Sequence, residues 1–548
     1  MNYHFLNSKK FIYILFACLF SIGLGYIFIL PVFEGFDENA HYSRLRETFS
    51  SPSAAFKKES YLDNEIVNYE GPLPYLNGKP PYDHLKSYNN FFNNKNLADN
   101  YASQYKKNYF NKPFVPSSEV NWQIQHPPLY YFLFSVPLNF INNISLVNQI
   151  IILRTLSYLV ALVGLFFGIL AISKKGENHS ERPIACMKAG LLIYPIIFPM
   201  FFLEFARIGN DSLCIFFIGL LAFIIFSWDR SNIKKYDLFN LGLVLALGLV
   251  TKAFFIPITA AILLTLLIYL LELKDKSAKI FLYRNLYLIL LPLILISGSW
   301  YLYKFVFIGD PGLGFDALQL SQQGGLIKGL KDHFDILLFF RGTIVPIVTF
   351  IWAGSWSLAR MPIISYAPLM LGFLYLVLEI AFKKKIEIKK NFFLVTILSF
   401  LFMYLGLCWH VLIQAALSAP ASSPGWYLHI LAPFIFPILG AIFFDLFDNK
   451  FKKILCLSFF LYALIFHLIA IWSHFALFGG CAIKSDAKNF FFNGNLLCLD
   501  QFSTILKRLE IISYPNFSLI FFFIGFSCLI YLIFTSFYFR ASYKKLTK

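Results

Sequence analysis

The chain has 548 residues, of which 58% are hydrophobic, 19% are aromatic and only 14% are charged. Soluble globular proteins carry about 25% charged residues, so the composition excludes an ordinary soluble domain. The formal net charge is +17, which in a soluble domain would indicate a nucleic-acid partner. Here the basic residues collect in short loops, such as Lys174-Lys175 and the run 383–390, that would share the inner side of a membrane. We therefore predict a membrane protein with no nucleic-acid partner.

Apolar runs of about 20 residues recur along the chain and are long enough to cross a bilayer as helices. We interpret the first, residues 11–30, as a retained signal anchor, because it is long and no Ala-x-Ala cleavage site follows it. The predicted fold is an all-α polytopic membrane protein with both termini in the cytoplasm. About twelve transmembrane helices are expected, at residues 11–30, 150–173, 184–203, 212–228, 238–251, 254–272, 285–307, 364–382, 391–412, 427–445, 453–473 and 516–538.

Two further apolar segments, 128–141 and 342–356, are short for a span, and we predict that they lie in the membrane interface. The predicted outer loops are 32–149, 204–211, around 252, 308–363, 413–426 and 474–515. The first of these is a large loop that we expect to fold against the membrane. Cys481 and Cys498 share the last one and could form a disulfide if that loop faces an oxidising compartment.

An acidic pair, Asp37 and Glu38, follows the first apolar run within seven residues of its end. A chain leaving the bilayer there would hold both carboxylates at the depth of lipid phosphate headgroups. Arg44 follows on what is predicted to be a short helix. The neighbouring glycine and aromatic residues suggest a shaped, partly dry pocket, and a solvated loop start is the alternative for this stretch.

Other charged residues also fall in the predicted outer loops. His126 precedes the interfacial segment, and Arg207 and Asp211 lie in a tight turn between two predicted spans. Lys252 lies between two apolar runs, and an ionisable residue at membrane depth is a functional candidate. Tyr427 opens a late span. All of these groups would emerge on one face, which favours chemistry on a phosphate-bearing lipid.

These stretches together resemble the C-type glycosyltransferase superfamily, multispan enzymes that use lipid-phosphate-linked sugars. The likeness is nearest to the bacterial branch that contains protein mannosyltransferases and lipid A aminoarabinose transferases. The stretches that carry it are Gly35-Phe36-Asp37-Glu38-x-x-His41-Tyr42, His126-Pro127-Pro128-Leu129-Tyr130-Tyr131, Asn210-Asp211, Gly248-Leu249-Val250-Thr251-Lys252 and Gly425-Trp426-Tyr427. Relatives often have Gly-Arg-Tyr at the last of these. The likeness covers residues 1–270 well and the remainder weakly.

The resemblance implies residue roles and a domain division. Asp37 would be the catalytic base or would organise a metal, with Glu38 in support and Asp211 as the acid of the second loop. Lys252 would hold the donor phosphate. A transmembrane catalytic domain would span 1–473, with the first outer loop at 32–149, and residues 474–548 would add the last outer loop and helix.

The resulting hypothesis is an inverting glycosyltransferase at the outer, periplasmic face of a bacterial inner membrane, acting in the synthesis of a cell-envelope glycan. Its donor would be a sugar on a polyprenyl phosphate, and its acceptor a hydroxyl of a lipid, a glycan or a protein. Arg207 or Arg44 would assist Lys252 at the phosphate, and His126, His41 and Tyr427 would contact the acceptor or substrate. A divalent cation, Mg²⁺ or Mn²⁺, held by Asp37 and Asp211 would do part of the electrostatic work.

Three alternatives remain open at this point. An O-antigen polymerase or ligase also has about twelve spans and a large outer loop, although that loop usually comes late in the chain. A polysaccharide or lipid transporter would place charged residues in the middle of its spans, whereas here they lie at span ends. A non-catalytic scaffold would tolerate replacement of Asp37, Asp211 and Lys252.

Overall fold

The computed structural model describes residues 3–72, 88–173, 181–227, 233–308, 315–359, 361–382, 390–418, 422–446, 450–481 and 495–538. The basic clusters Lys174-Lys175 and 383–389 lie outside these ranges. Within them the chain is helical, apart from one antiparallel ribbon of two short strands, β1 (Tyr61–Asp63) and β2 (Pro116–Val120), which the sequence did not predict.

The helices of the first half run from the amino terminus to the end of the third described span. They are α1 Tyr3–Asn7, α2 Lys9–Ile29, α3 Glu38–Ser50, α4 Asn64–Val67, α5 Tyr88–Asn93, α6 Lys95–Tyr101, α7 Leu129–Ile141, α8 Leu146–Ser173, α9 Glu181–Ile197, α10 Met200–Phe205, α11 Asp211–Ser227, α12 Lys235–Leu249 and α13 Phe255–Glu272. The small helices α3–α6 and the ribbon build the large outer loop.

The helices of the second half include two short ones, α17 and α18, before a sharp bend. They are α14 Lys276–Asn285, α15 Tyr287–Pro292, α16 Ser299–Tyr303, α17 Phe315–Gln322, α18 Leu326–His333, α19 Ile336–Ile351, α20 Ala367–Phe382, α21 Lys390–Ala416, α22 Ala432–Asp445, α23 Lys450–Phe478, α24 Phe502–Ile512 and α25 Pro515–Tyr538. The axes of α18 and α19 differ by 111°.

Eight helices of the described residues are long and apolar enough to cross a membrane, or nine if the bent pair α18–α19 is one span. The protein is therefore an all-α multi-pass membrane protein, as predicted. The other four predicted spans correspond to helices of 15–17 residues, which are α9, α11, α12 and α20. The short segment 128–141 matches α7, a helix of 13 residues.

Close helix pairs form the core, and glycines allow two of them. An added side chain at Gly164 of α8 would lie 2.5 Å from the carbonyl oxygen of Ile215 in α11. At Gly190 of α9 it would lie 1.9 Å from the carbonyl oxygen of Phe436 in α22. Small residues at such contacts let membrane helices approach closely where no hydrophobic driving force acts between them.

A buried ion pair connects the first two described spans to the outer loop. Arg154 of α8 donates to both carboxylate oxygens of Glu38, at 2.8 and 2.5 Å, and also to the carbonyl oxygens of Leu30 and Pro31, at 2.6 and 2.7 Å. One carboxylate oxygen of Glu38 also accepts from the backbone N–H of Ile208 at 3.1 Å. This one guanidinium therefore fixes the end of α2 against the start of α3.

We expect Arg154→Leu to lower the stability of the protein by about 3–5 kcal/mol, because it leaves the buried carboxylate of Glu38 without a counter-charge. Lys112→Ala is the matched control, since Lys112 and Glu65 form an ion pair that is largely exposed to solvent. Such pairs contribute about 0–1 kcal/mol. Thermal unfolding of both variants in the same detergent would measure the difference, and equal stabilities would contradict this assignment.

Candidate active site

Asp37 occupies an unusual backbone position between the first described span and α3. It is the N-cap residue of α3 and has a left-handed conformation, with φ of 57°. A non-glycine residue with positive φ is uncommon and is often found at functional sites. The side chain is partly exposed, and its described hydrogen bond comes from the indole N–H of Trp122, at 3.0 Å from Oδ1. Among the described residues, the other carboxylate oxygen of Asp37 has no hydrogen-bond donor.

Gly35 allows this turn to pack against the second outer loop. A Cβ atom at Gly35 would lie 2.7 Å from Cβ of Arg207. The guanidinium of Arg207 in turn donates to the carbonyl oxygen of Phe36 at 2.8 Å. The residue before Asp37 is therefore held by the loop that follows α10.

Asp211 lies at the start of α11, in a fully buried cluster of alternating charges. Its Oδ2 accepts from Arg207 at 2.9 Å, and its two oxygens accept from Lys252 at 2.8 and 2.9 Å. Arg207 also pairs with Glu204 at 2.7 Å. Two carboxylates and two cations therefore neutralise one another, and three hydrogen bonds occupy the oxygens of Asp211.

Lys252 lies in the turn between α12 and α13, with its ammonium group beside two adjacent aromatic rings. The nitrogen is 4.5 Å from the ring centre of Phe254 and 4.3 Å from that of Tyr427. These are cation–π distances. Tyr427, which was predicted to contact substrate, therefore borders the charge cluster directly, and its neighbour Trp426 stacks on Phe36 with ring centres 3.9 Å apart.

His41 and His126 lie side by side, with parallel rings whose centres are 6.3 Å apart. Nδ1 of His41 is 2.9 Å from the hydroxyl of Tyr131. Burial, together with the nearby charge of Lys252, lowers the pKa of His126 to about 3. Burial also holds the pKa of His41 well below its usual range. Both rings are therefore neutral at physiological pH and suit hydrogen bonding better than proton donation.

Burial raises the pKa of Asp37, while the charge of Arg207, the hydrogen bond from Trp122 and the charge of Lys252 oppose that rise. Desolvation is the larger effect because most of the groups around the carboxylate are buried. An aspartate with a raised pKa is a better proton acceptor than a solvated one. This electrostatic setting suits a general base.

The structure brings together most, but not all, of the predicted site residues. Asp37, Asp211, Arg207, Lys252, His41, His126 and Tyr427 form one connected region. Glu38 is adjacent to this region, and both of its carboxylate oxygens are occupied by hydrogen bonds from Arg154 and from the N–H of Ile208. Arg44 pairs with Glu47 at 2.5 Å and donates to the carbonyl oxygen of Ala54, so its described partners are outside this region.

Sequence reasoning missed three residues that shape the site, Arg154, Glu204 and Trp122. Arg154 carries the one charge in its apolar run, and that isolation is a signal that could have found it. Glu204 precedes Arg207 by three residues, a spacing at which helical side chains meet. Nothing in the local sequence indicates that Trp122 contacts Asp37, because 85 residues separate them.

The residues present do not fit the predicted metal site. The oxygens of Asp211 already accept from two cationic side chains. Within the described ranges, no group of three or more His, Cys, Asp or Glu side chains could hold a metal ion. The predicted cysteine pair forms a disulfide between Cys481 and Cys498, with Cα atoms 6.1 Å apart, outside this region.

Comparison with known proteins finds no matching family model and no matching curated protein. Among solved structures, the chain is similar to ArnT from Cupriavidus metallidurans bound to undecaprenyl phosphate, at 11% identity and a TM-score of 0.44 over 95% of this chain and 77% of that one. It is also similar to the apo state of ArnT from the same organism, at 12% identity and a TM-score of 0.42 over 93% and 74% of the two chains. Similarity at this level leaves the function to be inferred from the side chains of the site.

Proposed function

We propose that this protein is a membrane glycosyltransferase that moves a sugar from a polyprenyl-phosphate donor to an acceptor hydroxyl, with inversion at the anomeric carbon. In this proposal the protein lies in a bacterial inner membrane, with the site at its periplasmic face. Asp37 is the general base. Lys252 is the cation nearest the donor phosphate.

One observation carries the proposal. Of the four carboxylates in this region, Glu38, Glu204 and Asp211 each form a buried ion pair at 2.5–2.9 Å. Asp37 forms no ion pair among the described residues, and it is the one that is partly exposed. A base must be able to reach its substrate and must not already be neutralised by a fixed cation. Asp37 meets both requirements.

In the proposed step, one carboxylate oxygen of Asp37 accepts the proton of the acceptor hydroxyl. The acceptor oxygen forms a bond to the anomeric carbon while the bond from that carbon to the phosphate oxygen breaks. The electron pair leaves with the lipid phosphate, which becomes a free monoester. A positioned base of this kind contributes about 10²–10⁴-fold to the rate.

The leaving phosphate gains negative charge as the bond breaks. Lys252 is suited to stabilise it, because an ammonium group has three N–H donors and can serve Asp211 and a phosphate together. Arg207 donates to Glu204, Asp211 and the carbonyl oxygen of Phe36, so we assign it the role of holding the turn beside Asp37. Glu38 and Arg154 are likewise positioning residues.

We expect Asp37→Asn to lower the rate of sugar transfer by about 10²–10⁴-fold while the protein still folds, because an amide cannot accept the proton. The measurement compares surface glycans by mass spectrometry in a wild-type strain, a deletion strain and the deletion strain that carries the variant. Asp99→Asn, an exposed position in the same outer loop, is the control for removing one charge.

The same comparison separates the alternatives. If the deletion and Asp37→Asn lose the same sugar, the mass difference identifies that sugar. If the deletion loses it but Asp37→Asn behaves as wild type, Asp37 is not the base, and a transporter or scaffold explains the deletion better. A requirement for a diphosphate-linked donor in membranes would favour an O-antigen polymerase or ligase.

The pH dependence of kcat/KM should show an acidic limb set by Asp37. The base works only when ionised, and burial raises its pKa above the ordinary aspartate value of about 3.9. Activity should therefore be full at neutral pH and fall as the pH drops through this raised value. Assays with purified protein between pH 4 and 8 would measure it. A rate that stays constant down to pH 4 would contradict a raised pKa.

The metal prediction is tested by chelation. We expect transfer to continue in EDTA, because Lys252 and Arg207 already supply the positive charge beside Asp211. The assay uses the purified protein in detergent with and without EDTA, followed by Mg²⁺ or Mn²⁺ in excess. Loss of transfer that either ion restores would establish a metal requirement and contradict this expectation.

A further inference from the structure

A groove in the outer loop is lined by side chains that the proposed reaction does not use. It is a cavity of about 460 Å³, and its lining includes Asn68, Glu70, Phe91, Asn94 and Leu97. A shallow depression of about 490 Å³ continues from it over the run 93–96 and shares Asn94 with it. The asparagine-rich stretch at 89–96 thus forms one continuous surface.

The chemistry of this lining suits an uncharged polyol. Primary amides both donate and accept hydrogen bonds, as sugar hydroxyls do. Glu70 supplies a further acceptor at the rim, while Phe91 and Leu97 offer apolar surface to the C–H faces of a sugar ring. Asn68 and Glu70 are exposed, so their polar atoms are available. Among the described residues that line the 460 Å³ cavity none is cationic, and the carboxylate of Glu70 would repel an anion there. Lys95 lies at the shallow depression beside it.

Three tyrosines, Tyr69, Tyr101 and Tyr105, pack against one another at the base of the groove and form a floor of tyrosines. The hydroxyl of Tyr69 donates to that of Tyr101 at 3.0 Å, and the backbone N–H of Glu70 donates to the hydroxyl of Tyr105 at 3.3 Å. The rings of Tyr69 and Tyr105 are 5.0 Å apart. A preformed site of this kind loses little conformational entropy when a ligand binds.

Two contacts join the groove to the turn that carries Asp37. The ring of Tyr69 packs on Phe33 with centres 5.2 Å apart. Tyr88, the first residue of the helix that lines the groove, donates a hydrogen bond to Glu34. The buried carboxylate of Glu34 also accepts from the hydroxyl of Ser355 at 2.6 Å. Groove and catalytic turn therefore belong to one packed unit.

We propose that this groove binds the acceptor, and that the acceptor is an uncharged glycan. The proposal rests on the proposed sugar transfer. The amides of Asn68 and Asn94 form hydrogen bonds with the hydroxyl groups of the glycan. The glycan extends from the groove toward the carboxylate of Asp37.

The test uses the full protein in lipid nanodiscs and a panel of labelled neutral, sulfated and phosphorylated oligosaccharides. The variant is Asn68→Ala combined with Asn94→Ser. Asn94 caps α6 by accepting from the N–H of Leu97, and serine keeps that acceptor while it removes the amide. Asn108→Ala is the control, an exposed asparagine of the same loop outside the groove.

We expect wild type and Asn108→Ala to bind neutral oligosaccharides with equal affinity, and the double variant to bind about tenfold more weakly after the loss of two amides. In transfer assays the KM for the acceptor should rise by a similar factor, with kcat and the KM for the donor unchanged. Binding that prefers the charged oligosaccharides, or that the double variant leaves intact, would overturn the proposal.

The outcomes also separate this proposal from the reaction itself. Asp37→Asn should keep full glycan binding, because the groove does not include it. If glycan binding depends on the groove but wild type transfers no sugar, the groove is supported and the reaction is wrong. If wild type transfers sugar with an acceptor KM that the double variant does not change, the reaction is supported and the groove is not the acceptor site.

Discussion

The buried contact between Arg154 and Glu38 is the constraint on which the rest of the site depends. A lone charge within a membrane span is costly, and it persists only where other groups satisfy it. Arg154 is satisfied by a carboxylate and by the carbonyl oxygens that end the first described span. Because Glu38 directly follows Asp37, the ion pair fixes the residue next to the left-handed turn at Asp37, the proposed base.

The second constraint is the mutual neutralisation of the charged side chains beside Asp37. Glu204, Arg207, Asp211 and Lys252 neutralise one another within hydrogen-bonding distance, and all four are buried. A buried cluster of this kind is tolerated because each charge has a partner, whereas an unpaired member would be strongly destabilising. Asp37 takes part in none of these ion pairs. The site therefore combines four buried, mutually neutralised charges with one partly exposed carboxylate that has no ion pair among the described residues.

The outer loop is more than a connection between spans. Its small helices and its ribbon pack on a floor of tyrosines, and Glu34 ties that floor to the segment after α19 through Tyr88, Ser355 and Ser357. The segment that carries Asp37 is thus held from two sides, by the spans and by this loop.

The sequence by itself determined the membrane class and the order of the long spans, because hydropathy and charge are properties of each residue. It also singled out Asp37, Asp211 and Lys252. Only the tertiary structure decided which charges pair. It showed that Glu38 and Asp211 are saturated, that Arg44 pairs with Glu47, and that Trp122 contacts Asp37 across 85 residues. Local pattern cannot give these pairings, because they depend on how the spans pack.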